Sequence, residues 1–408
     1  MCGAIYIQQY VLPPKSEPTP SAVTVAEPTP EPEPPSPTIE YTLFPRAAVS
    51  VKGGVVGVTG GEGEETLLSC YRLGGYTLAI VKTDSDGLDY RATAPTLAVA
   101  KFDKSLSLVG TVTLPTGGDF LCATPYEYGL LLLVAREGAL DVVAVDGGLS
   151  LSTRTLPYSV NAACAVSGED GVVVAASGER MHFFGLSGEL SLTFSHSVVS
   201  DGYQIHSLYA YAGQYISFAK GLTDGRAHVW SSNGVVGRYD VARPDAITPA
   251  SYGFALATVS ERVTLYRYDY HLSYLGSTPL DHALFVSLGS YDGGVWAVLK
   301  QTSSTVGYTV CRHGDVQSKV ELPFGTPSTP IWNGDHFLYW SDGEEGDLVS
   351  YVPLTNKATT LLTMVGASRV EWWKAGGTVY VACDSDFDYG FFAPHIGKRD
   401  VFIVQITL

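Results

Sequence analysis

Long apolar runs are missing from this 408-residue chain: the strongest, residues 130–135 (LLLLVA), has the length of a buried strand and falls far short of a bilayer span. Basic residues are scarce as well, 25 Lys and Arg against 41 Asp and Glu, for a formal charge of -16. A nucleic-acid backbone rewards clustered cations, so this balance argues against DNA or RNA as a partner. The six cysteines, at 2, 70, 122, 164, 311 and 383, form no CxxC pair, which removes zinc ribbons and dithiol redox centres. Cys122 and Cys164 occupy similar places in consecutive units, FLCATP and NAACAVS; two separate buried thiols are expected there, with a bridge as the alternative.

Motifs of familiar chemistry are absent too. There is no HExxH, no GxSxG, and GGEGEE at 60–65 lacks the Lys and Ser or Thr of a phosphate-binding loop. The nine histidines are scattered and make no zinc-ligand set. No catalytic residue and no cofactor is therefore assigned. Amides and methionine are few, four Asn, seven Gln and three Met, a bias found in proteins from hot environments.

Glycine, by contrast, is abundant, with 44 copies, and Ser, Thr and β-branched residues accompany it. That mixture makes short strands and tight turns. A polar turn between two apolar segments recurs around Lys104, Gly147, Gly188, Asn233, Tyr270, Gly314, Asn356 and, in degenerate form, Gly397. Upstream of each lies a second apolar segment: TLAIVK, GLLLLVA, GVVVAAS, YISFAK, FALATV, VWAVLK, FLYWS and TVYVAC. A period of roughly 40 residues built of short strands resembles β-propeller blades in general, without pointing to one family. The expected fold is all-β, a propeller of eight blades, with seven as the alternative. Surplus strand material between residues 40 and 90 suggests that the first unit carries an insertion or lends a strand to the last blade.

Ahead of the domain, assigned to 38–408, residues 13–37 contain ten prolines together with Glu17, Glu27, Glu31 and Glu33. Proline fixes φ and removes amide donors, so this stretch reads as an extended linker. Residues 1–12 are apolar and aromatic, with Ile5, Tyr6, Ile7 and Tyr10 as a candidate docking segment able to add to the edge of a neighbouring sheet. The segment lacks the basic start and cleavage site of a secretory signal.

Two acidic clusters are weak calcium candidates: Asp84, Asp86 and Asp89 in DSDGLD, and Asp384, Asp386 and Asp388 in DSDFDYG. Neither completes the pattern of a calcium loop, and solvated turns are the expectation. The 25 tyrosines and six tryptophans supply recognition material, although packing between blades accounts for most of them. The function expected is that of a non-enzymatic structural or protein-interaction module in an extracellular, surface or virion assembly. It would be recruited through its N-terminal extension, or assemble with itself. A carbohydrate-binding propeller is the alternative, and a propeller enzyme acting on carbohydrate a second one.

Overall fold

The computed structural model describes residues 65–83, 96–385 except 116, 128, 169–170, 343–344, 366 and 376–377, and 400–407, together with the strands Thr42–Leu43, Ala47–Ala48 and Val56–Val58. Antiparallel sheets follow one another along the chain as blades 1 to 7, at 65–113, 119–156, 160–199, 204–241, 246–279, 285–322 and 326–365. An eighth sheet combines Ala367–Ala375, Thr378–Ser385 and Asp400–Thr407 with the N-terminal strand Val56–Val58. Seven blades are thus continuous in sequence and the last is composite. The borrowed strand comes from GVVGV, within the surplus segment before blade 1.

Each apolar segment paired with a recurring turn is the second strand of a blade. Blade 2 shows why these strands are apolar throughout. Leu130, Leu132 and Val134 pack toward blade 1, Leu131 and Leu133 toward blade 3, and all five are buried. Side chains alternate across a strand, so a sheet between two others needs apolar residues at every position. Ring closure repeats this packing where Leu67, Cys70 and Ala79 of blade 1 meet Tyr380, Ala382 and Ile403 of blade 8.

In this up-and-down order, the first and third hairpins of each blade fall on one face of the ring, the hairpin face, and the second hairpins and the links between blades on the other, the linking face. The third-to-outer hairpins share a device. In FDKSLS, VDGGLS, LSGELS and YDYHLS a leucine adopts positive φ, at Leu106, Leu149, Leu190 and Leu272. Each leucine N–H donates to the carbonyl three residues earlier, and three of the four side chains are fully buried. Gly314 and Asn356 take the same place in blades 6 and 7. A side chain from the preceding blade often caps such a hairpin: Lys101 Nζ donates to Gly147 O, Arg154 Nη1 to Leu190 O at 2.9 Å, and Arg267 Nη1 to Arg312 O at 2.9 Å.

Aromatics at the ends of inner strands contact a neighbouring blade. They fall in YRLGG, YEYG, YAG, YDGG and WNG, beginning at residues 71, 126, 211, 291 and 332. Tyr71 OH donates to Ala123 O and Tyr126 OH to Ser187 O, both at 2.7 Å into the following blade, and Tyr291 packs on Trp332. Gly294 of YDGG has φ of 154°, and a Cβ there would strike the carbonyl of Val310.

Outer strands in blades 1 and 3 to 7 each carry a bulge, extruding Val109, Thr193, Val236, Leu275, Gln317 and Leu361. Bulges interrupt the open edge and discourage pairing with another sheet. No disulfide joins Cys122 to Cys164, and the reason is geometric: Cys122 packs into the seam between blades 2 and 3, while Cys164 packs into that between 3 and 4. Equivalent positions face the same way around a ring and never meet.

Candidate interaction surface

The candidate docking residues Ile5, Tyr6, Ile7 and Tyr10 lie outside the described residues, as do Asp84, Asp86, Asp89, Asp386 and Asp388. Asp384 is described, and it is no solvated turn residue. It is fully buried beside blade 1, where its Oδ2 accepts the Leu67 N–H at 2.9 Å. Among the described residues no three His, Cys, Asp or Glu side chains gather in a way that could hold a metal ion. No helix among them is long and apolar enough to cross a membrane.

The aromatic residues separate into two groups. Trp230, Trp296, Trp340, Tyr203 and Tyr209 are buried, with Trp296 stacked between Phe337 and Tyr351 at 4.7 Å from each. Tyr211 is the exception on the hairpin face: it is exposed and stacks flat on Tyr270 at 4.1 Å. Tyr270 is held in turn by its hydroxyl, which donates to Ala250 O. A shallow depression between blades 2 and 3 is lined by Tyr126, Glu127, Ser167 and Gly188 and presents one carboxylate.

The linking face carries a different surface. Leu284 sits in the link before blade 6, Phe285 opens the inner strand of that blade, and Phe324 lies in the link to blade 7. Their exposures are 68%, 42% and 50%. Lys300 unites them. The Leu284 N–H donates to its carbonyl at 2.7 Å, Phe285 is its partner across the ladder, and its Nζ stands 5.4 Å from the centre of the Phe324 ring while donating to Thr326 Oγ1. The backbone beneath is fixed, because Thr305 Oγ1 both accepts the Gly325 N–H and donates to its carbonyl. Leu284 and Phe285 thus meet the Lys300 backbone and Phe324 its ammonium, and the three exposed apolar side chains stand on a backbone pinned by hydrogen bonds. Single exposed apolar residues at outer-strand bulges are ordinary, whereas three gathered at the links on either side of one blade suit a contact surface.

One link back, cations gather again. Asp245 Oδ1 accepts from Lys220 Nζ at 2.6 Å and Arg243 Nη2 at 3.2 Å, and its Oδ2 accepts the Val259 N–H. Two cations thus share one carboxylate in a strongly acidic chain. Beside it His206, extruded by an inner-strand bulge, is kept neutral down to about pH 4 by burial and by Lys220. The sequence contained Leu284 and Phe285 in HALFVS and Phe324 in LPFG, but only the fold brings both segments to Lys300.

Comparison with known proteins defines the class as a propeller. The chain is similar to the Dos1 propeller, with a TM-score of 0.60 and 10% identity over 85% of this chain and 94% of the other. It is also similar to the computationally designed Ika8 protein, at 0.57 and 12% over 91% and 100%, and to Sqt1 from Chaetomium thermophilum, at 0.56 and 9% over 85% and 97%. At such identities the likeness concerns the fold alone. No family model and no curated protein matches the sequence.

Proposed function

We propose that this chain is a non-enzymatic protein-interaction module of a larger assembly, gripping its partner at the linking-face patch and recruited through its N-terminal extension. The observation that carries this reading is the grouping of Leu284, Phe285 and Phe324 around Lys300. Burial of a large apolar side chain is worth about 1.5–3 kcal/mol, so two or three such anchors suffice for a specific contact. An extracellular, surface or virion setting belongs to the same proposal and suits a chain rich in Tyr and poor in Lys.

The test is a Phe285→Asp, Phe324→Asp double variant in the native assembly. Its circular dichroism and melting should match the parent, while its share of the assembly measured by size-exclusion chromatography with mass detection falls at least tenfold. Unchanged association of a folded double variant would sink the proposal.

A carbohydrate-binding reading draws support from the exposed Tyr211 face on the opposite side, since aromatic rings stack on sugars. Glycan-array binding lost on Tyr211→Ala, with the linking-face variant still binding, would favour it. The depression between blades 2 and 3 gives less to a glycosidase, whose chemistry uses two opposed carboxylates where this one presents Glu127.

A further inference from the structure

Resting on the reading that the linking-face patch is a contact surface, we infer that its occupant is the N-terminal segment, residues 1–12, of a second copy of this chain. Chemistry and reach both select that occupant. The patch needs apolar and aromatic groups followed by negative charge, since Leu284, Phe285 and Phe324 are flanked by Lys300 and, one link back, by Lys220 and Arg243. The chain begins with that order: Ile5, Tyr6, Ile7 and Tyr10, then a linker bearing Glu17, Glu27, Glu31 and Glu33 against the single cation Lys15. On a body of net charge -16, an acidic tether is drawn to Lys300, Lys220 and Arg243, which stand among Asp245 and Asp342.

Length puts a second copy within range. The 25 residues of 13–37, rich in proline, span about 78 Å at the rise of polyproline II. A globular body of this size has a radius of gyration near 20 Å and is therefore about 50 Å across. A linker that can extend further than the body is wide brings its segment within reach of a second copy. The contact pairs one surface with a different one, so it is head-to-tail and propagates from copy to copy.

Complementation tests the inference. Two full-length variants are made, one with Ile5→Asp and Ile7→Asp, the other with Phe324→Asp and Lys300→Glu; circular dichroism checks that each folds. Analytical ultracentrifugation of the parent at about 100 µM should give species heavier than 43.5 kDa that dissociate as salt rises. Each variant alone should be a monomer, and an equimolar mixture should form dimers and stop there, because only one intact segment and one intact patch remain. A monomeric parent, variants that associate like the parent, or a mixture that stays monomeric would each overturn the inference. If the parent is monomeric yet cross-links Tyr6 to the neighbourhood of Phe324 within one chain, the occupant is the chain's own segment and the inference fails. Loss of an unrelated native partner from the Phe285→Asp, Phe324→Asp variant would meanwhile leave the broader interaction reading standing.

Discussion

Asp384 and Leu67 are 317 residues apart in sequence, yet the Asp384 carboxylate accepts the Leu67 backbone N–H at 2.9 Å in the buried seam that closes the ring. A hydrogen bond to a charged group is roughly twice as strong as a neutral one, and an orphaned buried N–H carries its own penalty. Asp384→Ala should lower stability by about 2–3 kcal/mol in urea unfolding. Asp384→Asn, which keeps an acceptor, should lose less. Equal losses in the two variants would show that the carboxylate is not holding the seam.

The leucines at positive φ invite an inverted comparison. Glycine in a strand-rich fold ordinarily destabilises relative to alanine. At Leu106, φ is 61° and the side chain is buried, so both truncations lose packing, but only glycine relieves the left-handed backbone. Leu106→Ala should cost about 2–4 kcal/mol, and Leu106→Gly about 1 kcal/mol less than that. Thermal unfolding of the pair reads the order directly.

Two histidines contribute to the response to acid. His206 and His228 both have their pKa lowered to about 4, through burial first and then through Lys220 for His206 and Arg226 for His228. In the unfolded chain both protonate near 6.5, so between about pH 6.5 and 4 the unfolded state binds protons that the folded state refuses. Stability should be full above 6.5, fall as pH drops through this window, and level off below it with respect to these groups. For His228, which is fully buried, the loss is about 3 kcal/mol. His228→Phe should flatten the slope of unfolding free energy against pH; an unaltered slope would exclude His228 as its source.

Thiol labelling distinguishes the described cysteines. Cys70, Cys122, Cys164 and Cys383 are buried, and burial raises the pKa of the Cys70 and Cys383 thiols. Cys311 is partly exposed. Alkylation of the native protein followed by mass spectrometry should modify Cys311 well before these four, and reducing agent should leave the melting temperature unchanged.

Much of the body was legible because a blade between two others imposes an apolar strand on the sequence, and VVVAA or LLLLV cannot be satisfied otherwise. The eight second strands and the lent strand near GVVGV follow from that rule. The turn leucines were equally present as D/S-x-x-L-S at residues 103, 146, 187 and 269, but a leucine reads as a core residue of a strand, and its left-handed backbone has no signature of its own. The aromatics before glycine were visible as residues without a direction. The patch was hidden for a different reason: Phe285 opens blade 6 and Phe324 lies in the link that leaves it, far apart in sequence, and exposure depends on which strand ends a neighbouring link fails to cover. Asp384 misled because its acidic neighbours in DSDFDYG suggest water, while the ladder carries Asp384 itself into the seam.

The composite blade also orders events in time. Val56 pairs with Val404, so the earliest strand of the ring waits for almost the last. During synthesis blades 1 to 7 can each form from consecutive residues as they emerge, but the annulus stays open until the C-terminal strands leave the ribosome. Throughout that interval the seam surfaces of blade 1, Leu67 and Cys70 among them, are uncovered and available to the wrong partner. A truncation that removes only Asp400–Thr407 therefore deprives the first blade of its cover as well as the last of its strand, and nascent chains stalled near the end are the ones a cell's chaperones must hold.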